Sequence, residues 1–151
     1  MQTQFQKESF SCSYLNYKYT EDGELKVVRL PMVNVILTSN VVSIKTPGLV
    51  DSGATSTFLP LELADTLGLQ EKRKSKAIGA GGHFVTKICE IDEIAVSRGN
   101  NSFLRFYHRI IDVPERNDMI PYLVLGRDTI FKENNITFFE KRKKITFVKS
   151  R

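Results

Sequence analysis

Apolar residues along this chain recur chiefly at alternate positions in short runs broken by turn-forming clusters, and a helical spacing shows only briefly. Phe10 to Tyr19, then Asp22-Gly23, then Leu25 to Leu37 has the composition of a β-hairpin with a type I′ turn, both arms being strands. Val33, Val35 and Leu37 alternate with polar or smaller partners, and after a Ser39-Asn40 turn the β-branched run Val41 to Val50 predicts a further strand. Pro60 suits the first position, and Gly68 the C-terminal cap, of a two-turn helix beginning at Leu61. Strands are predicted at Phe84 to Val96 and Phe103 to Val113, separated by a surface turn at Ser97 to Asn101 and followed by a loop at Pro114 to Asp118. Ile120 to Gly126 predicts a buried strand, Arg127 to Glu133 one or two helical turns, and Ile136 to Phe139 and Ile145 to Val148 two closing strands around a basic turn. The sum is an all-β fold with one or two short helices.

Composition narrows this picture more than it adds to it. A length of 151 residues with 41% hydrophobic content suits one compact domain with its own core. Met1 to Ser9 is polar, without the apolar stretch of a secretory signal, and no apolar run is long enough to span a bilayer, so a cytoplasmic protein without a membrane partner is expected. In that compartment Cys12 and Cys89 are expected as free thiols, and their spacing carries no metal signature. The net charge of +5 comes mostly from Lys72-Arg73-Lys74 with Lys76 and from Lys141-Arg142-Lys143-Lys144. Both clusters lie beside predicted turns and read as solvated surface, so nucleic acid is not expected as a partner. Ile78-Gly-Ala-Gly-Gly-His83 lacks the Gly-Lys-Ser/Thr ending of a phosphate loop and lies between strands, where it reads as a hairpin tip. Neither a metal nor another cofactor is called for.

The candidate chemistry rests on Asp51-Ser52-Gly53 within Gly48-Leu-Val-Asp-Ser-Gly-Ala-Thr55. The triplet alone also occurs in plain turns, where Asp caps the backbone and Gly supplies positive φ. Its context is more specific. Leu49-Val50 delivers the acid from an apolar strand, Ala54 to Leu59 leads into the predicted helix, and a second apolar-apolar-Gly element, Val124-Leu125-Gly126, follows later with a helix of its own. A hydrolytic aspartyl site needs two carboxylates sharing one proton, because like charges about 3 Å apart cannot both ionise. The chain contains one such triplet, so it must pair with a second copy or be inactive.

These segments resemble the retropepsin-like aspartic proteases of retroviruses, long-terminal-repeat retroelements and stand-alone cellular proteins. Leu49 to Phe58 with Leu61 to Leu69 looks like the active-site loop and following helix of the retroelement branch, and Leu123-Val-Leu-Gly-Arg-Asp128 like the second signature. The resemblance covers residues 27–148 as a protease domain and leaves 1–26 as an N-terminal extension, read as a hairpin arm or interface strand. It implies a closed β-barrel of the acid protease fold, one lobe per chain, completed as a homodimer. It further implies that Asp51 is the catalytic acid, that Ser52 bonds its symmetry mate, and that Gly53, Ala54 and Thr55 support the loop. Ile78, Gly79, Ala80, Gly81, Gly82 and His83 match the flap that closes over an extended peptide. Leu125, Gly126, Arg127 and Asp128 are structural. Thr55 stands where many retroviral members carry an acid that pairs with the arginine of the second signature, so Arg127 needs another partner, Asp128 being one candidate. The implied activity is endopeptidase hydrolysis of peptide or protein substrates through a water activated by two copies of Asp51. The alternative is a catalytically silent dimeric peptide-binding or protein-binding module of the same fold.

Overall fold

The computed structural model of the chain describes residues 9–79 and 81–151. Its elements are β1 (Ser9–Ser13), β2 (Leu15–Glu21), β3 (Glu24–Leu30), β4 (Met32–Ser39), β5 (Val42–Val50), α1 (Leu61–Thr66), β6 (Arg73–Gly79), β7 (Gly82–Ser97), β8 (Phe103–Pro114), β9 (Leu123–Leu125), α2 (Ile130–Glu133), β10 (Asn134–Phe139) and β11 (Lys144–Lys149). The all-β class with two short helices is as expected. No helix among the described residues is long and apolar enough to cross a membrane.

The predicted N-terminal hairpin exists, with positive φ at both Asp22 and Gly23 as a type I′ turn requires, but its arms are shorter than the sequence suggests. The first arm breaks at Tyr14, whose amide bonds Lys143 O and whose ring is buried, so that β1 pairs with β11 while β2 pairs with β3. The second arm breaks at Pro31, which has no N–H for a ladder and fixed φ, so β4 departs into another sheet. Residue 26, the expected edge of the extension, lies inside β3.

The central sheet runs β6-β7-β4-β5-β9, with β8 along the other edge of β7. Alternation in β4 buries Val33, Val35 and Leu37. Val35 faces Val96 and Leu37 faces Ile94 across the ladder, and these join one core cluster with Leu59, Phe106, Leu123 and Ile130. The closed barrel implied by the resemblance is not found. The sheet keeps free margins at β6, β8 and β9, and among the described residues β8 and β9 are joined by the isolated bridges of Phe58 to Asp112 and Val124. The reason is local: Pro121 cannot donate to a ladder and Gly126 leads into the second loop, so the expected strand Ile120 to Gly126 contracts to three paired residues.

Helix α1 starts at Leu61, so Pro60 is its N-cap and not its first helical residue as expected, and beyond its end Gly68, with φ of +66°, lets its own amide and that of Leu69 reach Asp65 O and Ala64 O. Both cysteines are free and buried. Burial pushes the Cys12 thiol up from 9.0 to about 11, partly offset by Arg98, and burial also raises Cys89. A thiol pKa raised by folding favours the fold below the unfolded value and loses that contribution as pH climbs through about 11. The native chain at pH 8 is therefore expected to react with iodoacetamide at Cys12 roughly 100-fold more slowly than the urea-unfolded chain. Mass-spectrometric counting of modified thiols over time checks this, and equal rates would contradict it.

Candidate active site

Strand β5 runs antiparallel to β4 and parallel to β9, and the β5/β9 pairing of Val50 with Leu125 brings the two apolar strand ends of the sequence side by side. Asp51 follows at once. Its amide donates to Leu125 O at 3.1 Å, so the acid leaves the sheet from a fixed point. The chain then turns tightly: the Ala54 amide bonds Asp51 O, and the Gly53 amide donates to Asp51 Oδ1 at 2.8 Å. A Cβ on Gly53 would stand 3.1 Å from that same oxygen, so glycine keeps the carboxylate uncrowded.

The second loop is laced to the first. Arg127 N donates to Ala54 O at 2.9 Å and Asp128 N to Thr55 O at 3.1 Å. Gly126 packs so closely that a Cβ there would lie 2.0 Å from Ser56 O. Beneath them Thr57, with no exposed surface, accepts from Gly126 N at 3.0 Å and contacts the Thr129 hydroxyl and Asp128 Oδ1. Thr129 also donates to Asp128 Oδ1. Asp128 is thus held by two hydroxyls, and Arg127 points outward, exposed, with no ion pair among the described residues. The candidate pairing of Arg127 with Asp128 is not formed, because consecutive residues of this loop face opposite ways.

The loop floors a cleft of about 1160 Å³ whose wall includes Asp51, Gly53, Ala54 and Thr55 on one side and Ile78, Gly79, Gly81, Gly82 and His83 on the other. The latter belong to the hairpin of β6 and β7, which pairs down to Gly79 with Gly82, where φ is +105°. Ala80 lies outside the described residues. Ser52, Gly53 and Thr55 are exposed and Asp51 is half-buried. Tyr122 stands nearby against the Tyr17 ring at 5.3 Å; burial first, then Tyr17 and the Asp51 carboxylate, push its phenol up, so it stays neutral.

Sequence reasoning overlooks Thr57, Phe58 and Asp112. The hydroxyl network of Thr57 depends on partners far along the chain. Asp112 does leave a trace, as a single charge inside Ile110-Ile111-Asp112-Val113.

A family model described as Aspartyl protease matches residues 37–129, more than half of the chain. The chain belongs to the aspartyl protease family. Among solved structures it is similar to a retropepsin-like aspartic protease from Rickettsia conorii, at 17% identity and a TM-score of 0.56, covering 93% of this chain and 99% of that one. It is also similar to the retroviral protease-like domain of Ddi1 from Leishmania major, at 17% identity and a TM-score of 0.51, covering 82% of this chain and 96% of that one. Together with the family match, these likenesses give the aspartyl protease family member a retropepsin-like fold. It matches no curated protein.

Proposed function

We propose that the chain is an aspartic endopeptidase that works as a homodimer, with Asp51 of each copy forming a two-carboxylate centre under the hairpin of β6 and β7. One observation carries the reading. Of the four acids on the cleft wall, Asp118 pairs with Arg116, Asp128 is held by the hydroxyls of Thr57 and Thr129, and Asp112 is buried in the sheet with Oδ1 on Thr86, while Asp51 is half-buried at the tip of its loop and among the described residues bonds only the Gly53 amide. Asp51 is therefore the acid best placed for chemistry, and among the described residues no second carboxylate is hydrogen-bonded to it. The exposed positions around it, Ser52, Thr55 and Arg127, give a second copy a surface to meet.

In the proposed centre one carboxylate, ionised, takes a proton from a water as that water attacks the scissile carbonyl. Its protonated partner donates to the carbonyl oxygen and then to the departing nitrogen. The pair titrates as a unit, which gives a bell-shaped rate profile on the acidic side of neutrality. An extended peptide in the cleft gains main-chain hydrogen bonds from the β6/β7 hairpin, and side chains alternate into the walls.

The test is digestion of a peptide mixture at roughly pH 3 to 7 with fragments read by mass, repeated over a dilution series of the protein. Below the dimer dissociation constant the rate is expected to follow the square of chain concentration, so that tenfold dilution costs about 100-fold in rate. Absence of any cleavage, or a rate proportional to concentration throughout, would overturn the proposal.

A further inference from the structure

The cleft wall holds an acid that this chemistry does not use. Asp112 lies in β8, is 8% exposed, and lines the same cleft as Asp51. Its backbone is fixed by hydrogen bonds to Thr57 O and from the Leu59 amide. Its Oδ1 accepts a 2.8 Å bond from the hydroxyl of Thr86, which has no exposed surface. Its Oδ2 has no hydrogen-bond partner among the described residues and is not sealed from solvent, as Arg109 Nε is, so it keeps accessible surface on a residue that lines the cleft. No cation lies within ion-pair distance among the described residues. The nearest in the sheet row is Arg73, which faces Ile88 as Ile88 faces Asp112, placing it two strand spacings away, roughly 9.5 Å.

A largely buried carboxylate with an idle oxygen is costly for a fold to keep, which favours a role for that oxygen. Phe58 is bridged to Asp112 and Ile88 faces it across the ladder, with Phe84 and Ile110 on the same cleft wall, so its immediate neighbours in the sheet are apolar. That combination fits a side chain with an apolar stem and an N–H donor at its tip. Resting on the reading of the cleft as a peptide site, we propose that Asp112 is a specificity-determining residue that selects such a donor-tipped substrate side chain, with lysine as the best fit, and rejects acidic ones.

Decapeptides in which each position in turn is Lys, Leu or Glu test this. One position is expected where Lys is cut at least about tenfold faster than Glu, with Leu between. In Asp112→Asn the amide oxygen must serve Thr86, which turns an N–H donor toward the cleft, so the Lys advantage is expected to vanish or reverse in favour of Glu. Should that variant fold poorly, Asp112→Ser, smaller and uncharged, must likewise lose the Lys preference. The same peptides are measured for binding to Asp51→Asn by fluorescence anisotropy, alone and combined with Asp112→Asn. Cleavage whose Lys-to-Glu ratio ignores Asp112 would overturn this inference and leave the proteolytic reading standing. Binding preference that tracks Asp112 without any cleavage would uphold the pocket and overturn proteolysis. No preference in either assay would overturn the pocket.

Discussion

Asp51→Asn is expected to lower kcat/KM on any cleaved peptide by about 10⁴-fold or more, with little change in stability. The substitution preserves shape. An asparagine Oδ1 can still accept the Gly53 amide that Asp51 Oδ1 holds at 2.8 Å, and the backbone bonds of the loop, to Leu125 O and from Ala54 N, do not involve the side chain. What is lost is the capacity to carry a proton between water and the scissile bond, which an amide cannot replace at any working pH. Melting temperature and dimer content should therefore stay near the parent values while cleavage disappears. A variant keeping more than a tenth of the parental rate would place the chemistry elsewhere. A variant that loses both fold and activity would show that Asp51 is needed for structure.

Gly126→Ala should be among the most damaging single-methyl additions in the chain. The new Cβ would lie 2.0 Å from Ser56 O and 2.4 Å from its carbonyl carbon, and these are backbone atoms with nowhere to retreat. Ser56 sits between residues tied to the second loop by the Arg127 to Ala54 and Asp128 to Thr55 bonds, while Thr57 receives the Gly126 amide itself. Relief of the clash must pull these loops apart, and with them the pairing of Val50 and Leu125 that aims Asp51. Overpacking in ordinary cores costs about 1–3 kcal/mol, and a rigid backbone clash should reach at least the top of that range. That corresponds to roughly 6–12 °C in melting temperature for a chain of this size. Gly68→Ala is the control: with φ of +66° and nothing within 4 Å of where its new methyl would stand, it meets conformational strain alone, roughly 1–2 kcal/mol. Thermal unfolding of the two variants side by side checks the claim, and equal losses would contradict it.

What could be read from the sequence was what local chemistry dictates. Asp22-Gly23 specifies its turn because both residues tolerate positive φ, and Gly68 ends its helix for the same reason. Asp51-Ser52-Gly53 and Val124-Leu125-Gly126 were visible as two apolar strand ends, and the structure does set them side by side. What escaped was decided by distant partners. Nothing local to Tyr14 says that it will abandon one sheet for Lys143, although Pro31 did offer a warning through its missing amide. The open sheet was hidden for a related reason, since Ile120 to Gly126 reads as one apolar run while only Leu123 to Leu125 find a partner strand. Thr57 and Asp112 acquire meaning only when Gly126, Thr129 and Thr86 arrive from elsewhere in the chain.

The central claim is that two copies of Asp51 make one catalytic centre, and mixing tests it most directly. Parent and Asp51→Asn chains are combined at fixed total concentration, allowed to exchange, and assayed on one peptide. A centre built from both copies predicts activity that follows the square of the parent fraction, about one quarter in an equimolar mixture, because each mixed dimer carries a single acid. Activity that falls in simple proportion, to one half, would mean that each chain works alone, and the account would be wrong.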